Sequence, residues 1–349
     1  MHKLKTHSCN TSPYIDNVEV PVKIVAPYLG DHFNSKGTNT DLIEERVKKG
    51  KSCVISSMAL CSDVTMGIHA IETLLLLYRS LFLQVVLNNA QSWSNLTKTN
   101  LLSLQRVQLK YIKRIFHAPS STSNPITYLE TGILPIKYEI HIKQLVYLHH
   151  ILTLPTDDPV HHTYQQQLQY EAPNWANEVM KLRKMYNTTE NDEEVSGLTK
   201  DAWKRSVKRL VKAKALQDLN SEAENQKHAS NLLPYDELKN QDYISHLTPK
   251  YTRKIFHLRT QTIDLRGVRK FAYGDNKSCR LCHEETETVE HVVNECPSIE
   301  RSQHISNIFT TECNELQEIA RRCIVFDTKV ESLKTDEASV TAEHGLLYY

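Results

Sequence analysis

The sequence predicts a mainly α protein: a helical thumb-like and connector region, then a basic helical segment, then a small zinc knuckle. Three observations predict it. Gly and Pro are sparse, at 9 and 12 of 349 residues, which argues against a turn-rich β architecture. Long stretches between prolines carry apolar residues three or four apart, the period of a helix. Near the C-terminus, "CRLCHEETETVEHVVNEC" puts Cys279, Cys282, His291 and Cys296 close together, while the other cysteines are scattered.

In chain order, "VEVPVKIVAPYLG" (18–30) reads as short extended pieces, punctuated by Pro21 and Pro27 and ended by a turn at Gly30. Residues 40–51 then read as a helix start. Thr40 is placed to cap it, Glu44 and Glu45 sit early, and Lys48 and Lys49 sit late, matching the helix dipole. Helical patterning continues to about residue 90. Its most apolar part, "IHAIETLLLLYRSLFLQVV" (68–86), carries His69, Glu72 and Arg79, so a buried helix is expected rather than a membrane span. From Asn100 a further helix aligns Leu101, Leu104, Val107, Tyr111 and Ile115, with Pro119 after its end. Between Pro135 and Pro155 two faces are apolar, one through Ile136, Ile140, Tyr147 and Ile151, the other through Tyr138, Ile142, Leu145 and Leu152. Such a helix is expected to be buried among others. Residues 161–198 lose this periodicity in "QQQLQ" and "NTTENDEEVSG" and read as a polar linker with at most short helices.

The net charge of +1 hides a split. Residues 199–280 carry 18 Lys/Arg against 9 Asp/Glu, and residues 281–349 carry 5 against 14. A basic segment followed by an acidic tail points to a local polyanion contact. In "LTKDAWKRSVKRLVKAKALQDL", Trp203, Val207, Val211, Ala215 and Leu219 recur every four residues on one face. Lys204, Lys208 and Lys212 form a stripe, with Arg205 and Arg209 beside it. Like charges four apart weaken an isolated helix, and phosphates remove that penalty. A solvated face and an anionic membrane surface are the competing readings. Further on, Arg266, Arg269, Lys270, Lys277 and Arg280 are interleaved with Phe271 and Tyr273, cations beside aromatics that suit a single strand. Phe256 in "RKIFHL" reads as core.

No apolar leader opens "MHKLKTHSCNTSPY", so the cysteines are expected reduced, in a cytoplasmic or nuclear setting. Cys-x2-Cys-x8-His-x4-Cys then reads as a closed set of three thiolates and one imidazole. It suits structural Zn2+, with no open position for chemistry. His283 and Cys313 are rival ligands. Glu290 is placed to hydrogen-bond a ligand.

This segment resembles the CCHC zinc-binding segment near the C-terminus of reverse transcriptases of LINE-type (non-LTR) retrotransposons. The surroundings extend the resemblance: a basic "LRT" run, then Cys-x2-Cys, an acidic "ET" loop and "EHVV" before the last cysteine. "PYLG" with "IEERVKKGK" resembles the stretch after the polymerase palm. "LQRVQLKYIKRIFHAPSSTSNP" and "YLETGILPIKYEI" resemble the helices that follow it. The resemblance covers roughly residues 18–160 and 245–300. Retroviral nucleocapsid knuckles have a shorter gap before the histidine and are less similar.

The resemblance implies a palm/thumb-junction remnant over 1–60 and a thumb and connector over 61–160. A basic nucleic-acid-binding segment follows over 199–276, then a CCHC module over 277–300 and an acidic tail over 301–349. Implied partners are RNA or single-stranded DNA and the rest of a reverse transcriptase, with no membrane. Catalysis is not expected of this chain alone. The one adjacent Asp pair, Asp157–Asp158, lies between Pro155 and Pro159 and reads as a turn, not as the metal-binding hairpin polymerisation needs. Asp327 and Lys329 in "IVFDTKVES" hint only faintly at a nuclease. A zinc-stabilised protein-interaction scaffold and a decayed element fragment are the alternative readings.

Overall fold

Caps and prolines end the helices largely where the sequence places them. The computed structural model describes residues 14–15, 18–19, 24–28, 31–34, 37–61, 67–226, 232, 234–301 and 303–345. Pro21, Gly30 and the leader region lie outside them. Two short antiparallel pairs open the chain, β1 (Tyr14–Ile15) with β2 (Val18–Glu19) and β3 (Val25–Tyr28) with β4 (Asp31–Asn34). The rest of the described chain is mainly helical.

Helix α1 (Thr40–Leu60) starts at Thr40 itself. Asn39 takes the cap position and spends its side chain on Ser94 O, 2.5 Å away. The apolar stretch forms α2 (Ala70–Leu77), a π-turn (Tyr78–Phe82) and α3 (Leu83–Val86), with Ile71, Leu74, Tyr78, Phe82 and Val86 buried. Helix α4 (Lys98–Ile115) is opened by a reciprocal capping box between Thr97 and Asn100. Helix α5 (Asn124–Thr131) is capped by Ser123 and ends at Gly132, φ +61°. A Cβ there would lie 2.2 Å from the Lys239 backbone, so only glycine lets residues 239–240 approach. Helix α6 (Ile136–Leu152) spans the interval between the two prolines. It buries residues from both apolar faces, among them Ile136, Tyr138, Ile142, Leu145 and Ile151.

A polar hub sits where these helices meet. The Gln108 amide is fully buried and fully used. It donates to Tyr78 OH (2.7 Å) and Leu134 O (2.8 Å), and accepts from Tyr128 OH (2.8 Å) and Ile136 N (2.9 Å). With every valence met, it orients α4, α5 and the start of α6 without leaving an unpaired polar group.

The segment expected to be a polar linker is not one. Residues 161–198 lie largely in α7 (Pro159–Leu168), α8 (Trp175–Met185) and α9 (Asp192–Gly197). Tyr164, Trp175, Val179, Leu182 and Val195 of this segment are buried in the common core, while Tyr170, Met185 and Leu198 stay exposed. Arg183, fully buried, bonds Thr189 O and pairs with Asp192 at 2.5 Å, closing the turn between α8 and α9. Asp158 caps α7 by accepting from Val160 N (2.8 Å).

Helix α10 (Lys200–Glu224) lays Trp203, Val207, Val211, Ala215 and Leu219 against α5 and α6, and Trp203 Nε1 donates to Leu145 O at 2.7 Å. After α11 (Tyr243–His246), α12 (Pro249–Arg259) packs on the end of α4. Phe256 stacks on Phe116 with centroids 4.2 Å apart, as core. Beneath it, the buried Glu130 carboxylate receives Arg259 Nε (2.7 Å) and the hydroxyls of Tyr243 (2.8 Å) and Tyr235.

The acidic C-terminal region contributes a packed helix. After the short α13 (Lys270–Tyr273), α14 (Cys313–Gly345) buries Leu316, Ile319, Cys323, Phe326 and Val330. Asp327 pairs with Lys254 and Lys329 Nζ bonds Ser298 O (2.7 Å), so both residues of the nuclease hint hold this helix in place.

Candidate metal centre

The four predicted ligands converge. One ligand atom each from Cys279, Cys282, His291 and Cys296 lies within 4.8 Å of every other. Cys279 Sγ and Cys296 Sγ are 3.9 Å apart, and Cys282 Sγ is 3.3 Å from His291 Nε2.

Local backbone produces this. Ser278 and Thr286 form an antiparallel bridge, and Cys279 N donates to Glu285 O (2.7 Å). The tight turn between them returns His283 N to Cys279 O (3.0 Å) and aims Leu281 N at Cys279 Sγ (3.5 Å). His283 takes φ +62° and is exposed, so this rival ligand stays outside the cluster, as does Cys313. The other two ligands open and cap a π-turn, His291–Glu295: His291 is its first residue, and the capping Cys296 N reaches His291 O at 2.7 Å. That i→i+5 closure brings residues five apart to one side, which an α-turn does not.

The thiols of the cluster sit in unlike surroundings. At Cys282 burial raises the thiol, but the backbone N–H groups of Glu284 and Glu285, with hydrogen bonds from Cys279 and Cys296, together outweigh it and hold it below its ordinary value. Burial, then the neighbouring sulfurs, pushes the Cys296 thiol up to about 12. A cation among the sulfurs relieves that repulsion. His291 Nδ1 lies 3.6 Å from Glu295 Oε2, too far for a direct hydrogen bond, whereas Glu290 accepts from Asn294 Nδ2 (2.6 Å). Glu295, rather than the expected Glu290, is therefore the carboxylate facing the imidazole.

A buried carboxylate, missed from sequence, holds the module together. Glu287 accepts from Arg266 N (2.9 Å), Arg280 N (2.8 Å) and the Arg280 guanidinium (2.6 Å). Arg280 also lies over the rings of Tyr273 (5.2 Å) and Phe326 (5.5 Å). Its side chain is only 9% exposed, so this expected phosphate contact is spent inside the protein. Arg266 bonds Asn276 Oδ1 (3.3 Å) and Ser278 O (3.2 Å). Arg269 is half-exposed and pairs with Asp264 at 3.2 Å. Burial raises the Asp264 carboxyl, but Tyr273, Arg280 and Arg269 outweigh it and hold it below the usual carboxylate range. Lys277 is exposed; the side chains of Lys270 and Phe271 lie outside the described residues. Arg322, fully buried, ties α14 to the π-turn through Val293 O (2.8 Å) and pairs with Glu318 (2.7 Å).

The cations of α10 are placed differently. Lys204, Arg205, Lys208, Arg209 and Lys212 are all exposed, and none makes an ion pair among the described residues. The structure does not bring them into the metal cluster.

No family model matches the chain, and no curated protein or solved structure matches it. No helix among the described residues is long and apolar enough to cross a membrane.

Proposed function

We propose that this chain binds single-stranded RNA or DNA, as the C-terminal portion of a LINE-type reverse transcriptase, with structural Zn2+ held by Cys279, Cys282, His291 and Cys296. The observation that carries the reading is the stripe on α10. Five exposed cations make no ion pair among the described residues, although Lys208 and Lys212 act on the Glu139 carboxyl, and the opposite face of their helix is used in packing. Such self-repulsion costs a few tenths of a kcal/mol per pair and is relieved by phosphates.

The donor set favours zinc. A tetrahedral ion with bonds of ~2.3 Å to sulfur needs sulfurs ~3.8 Å apart. Cys279 and Cys296 stand at 3.9 Å. With four protein ligands the ion has no open position, so its contribution is to folding rather than to chemistry.

The test is binding of labelled oligo(U) by the zinc-loaded chain over a salt series. Affinity is expected to fall linearly on a log–log plot, and the Lys204→Glu/Lys208→Glu/Lys212→Glu protein to lose it. A wild-type chain with no salt-sensitive binding would sink the proposal. A second reading, a zinc-stabilised protein scaffold, draws on exposed Ile55, Leu60 and Leu76, each above 60% accessible. Under it, the triple variant keeps its partner.

A further inference from the structure

Two adjoining cavities flank the loop 119–124. One, of about 620 Å3, is lined by Arg106, Lys110, Lys113, Arg114 and His117 of α4 and its end. The other, of about 890 Å3, is lined by the hydroxyls of the loop, by Thr260 and Thr262, and by Arg269. Ser120 and Asn124 line both. Neither lining contains an Asp or Glu, although 41 of the 349 residues are acidic. At that frequency the combined lining would hold two or three.

Within the first cavity the cations are ordered. Arg106, Lys110 and Arg114 stand four apart on α4, all exposed, with no ion pair among the described residues. Their rise is ~6 Å per step along the axis, comparable to the step between neighbouring phosphates of an extended strand. The fourth cation has a separate task. Buried Lys113 Nζ donates to Ser120 O (2.8 Å), Thr122 O (2.6 Å) and Asn124 Oδ1 (2.8 Å), so the loop is held in one shape. The exposed Ser120 and Ser121 hydroxyls and the Asn124 amide are thereby fixed at the mouth between the cavities.

We infer that this groove, from Arg106 along α4 and past the 119–124 loop to Arg269, is a second track for a single-stranded RNA, reading its sugar–phosphate backbone. Cations in register contact phosphates, and hydroxyl and amide groups at the loop contact ribose and phosphate oxygens. The inference rests on the reading above but uses none of its α10 residues.

The experiment compares three zinc-loaded full-length proteins on labelled oligo(U): wild type, Arg106→Gln/Lys110→Gln/Arg114→Gln, and Lys204→Glu/Lys208→Glu/Lys212→Glu. Removing three exposed charges by glutamine leaves the buried face of α4 intact, and an unchanged Tm checks this. The α4 variant is expected to bind at least about tenfold more weakly at low salt, with a log–log salt slope shallower by ~2, at ~0.7 per phosphate lost. An α4 variant that binds like wild type overturns the groove and leaves the α10 reading standing. Equal competition by polyglutamate would make the groove a site for acidic peptide and overturn it as well. A wild type that fails to bind at all removes both.

Discussion

The helical body and the candidate metal module are built differently. The body, α1 to α10, buries whole apolar faces: the rings of Tyr78, Phe82 and Tyr111 pack with centroids within 5.6 Å of one another, and Trp203, Val207, Val211 and Ala215 form an unbroken seam. The module, residues 277–300, is small and acidic on its outer turn. It has two buried valines, Val292 and Val293, in its π-turn, and organises itself around four ligands and one carboxylate. Burial scales with area, so the body tolerates a lost contact. Coordination is all-or-none, so a module held by a metal would not.

Chelation should therefore break the comparison most sharply. Removing metal, or Cys279→Ser, is expected to open residues 277–300 to protease while helical circular dichroism from the body persists; structural zinc contributes on the order of 10 kcal/mol in small modules. Simultaneous loss of both signals would show that the two regions are one cooperative unit.

Phe256→Ala probes the seam between them. Phe256 is fully buried against Phe116, and the truncation is expected to cost about 3–5 kcal/mol in denaturant unfolding. A cost below about 1 kcal/mol would mean that α12 is not anchored there.

Arg322→Ala asks how tightly α14 belongs to the module. It leaves Val293 O and Gln303 O without their donor and is expected to cost about 3 kcal/mol, read as earlier hydrogen exchange in the π-turn.

The smallest effect is a pH one. Hydrogen bonds from Arg321, then Arg322, hold the Glu318 carboxyl down to about 2 against an ordinary 4.5. A depressed carboxyl stabilises above its unfolded value, and that contribution disappears as pH falls through the folded value. The stability gap between wild type and Glu318→Gln should thus shrink as pH drops from about 4.5 to about 2. A gap independent of pH would remove the ion pairs from the docking of α14.

Much of the body was legible because helix formation is local. Pro135 and Pro155 bracket α6, Trp203 to Leu219 mark the buried face of α10, and Phe256 is core as read. What was not legible depends on long-range pairing. The helices α7 to α9 look like linker because their polar residues outnumber the few aromatics that anchor them. Tyr164 and Trp175 become informative only once Tyr147 stands beside Trp175. Over residues 301–349 composition shows only an excess of acid; it cannot show that one face of α14 is apolar and docked.

In the candidate site the same division holds. The ligand set is written in the sequence because its spacing confines Cys279, Cys282, His291 and Cys296 to two adjacent turns, whatever the rest does. Whether a cation is available is not, because that depends on which carboxylate the fold brings to it. Arg280 and Arg205 look alike in the chain. Only the tertiary structure sets Arg280 on Glu287 and leaves Arg205 exposed with no ion pair among the described residues, since an ion pair is made through space between residues whose separation along the chain sets no distance.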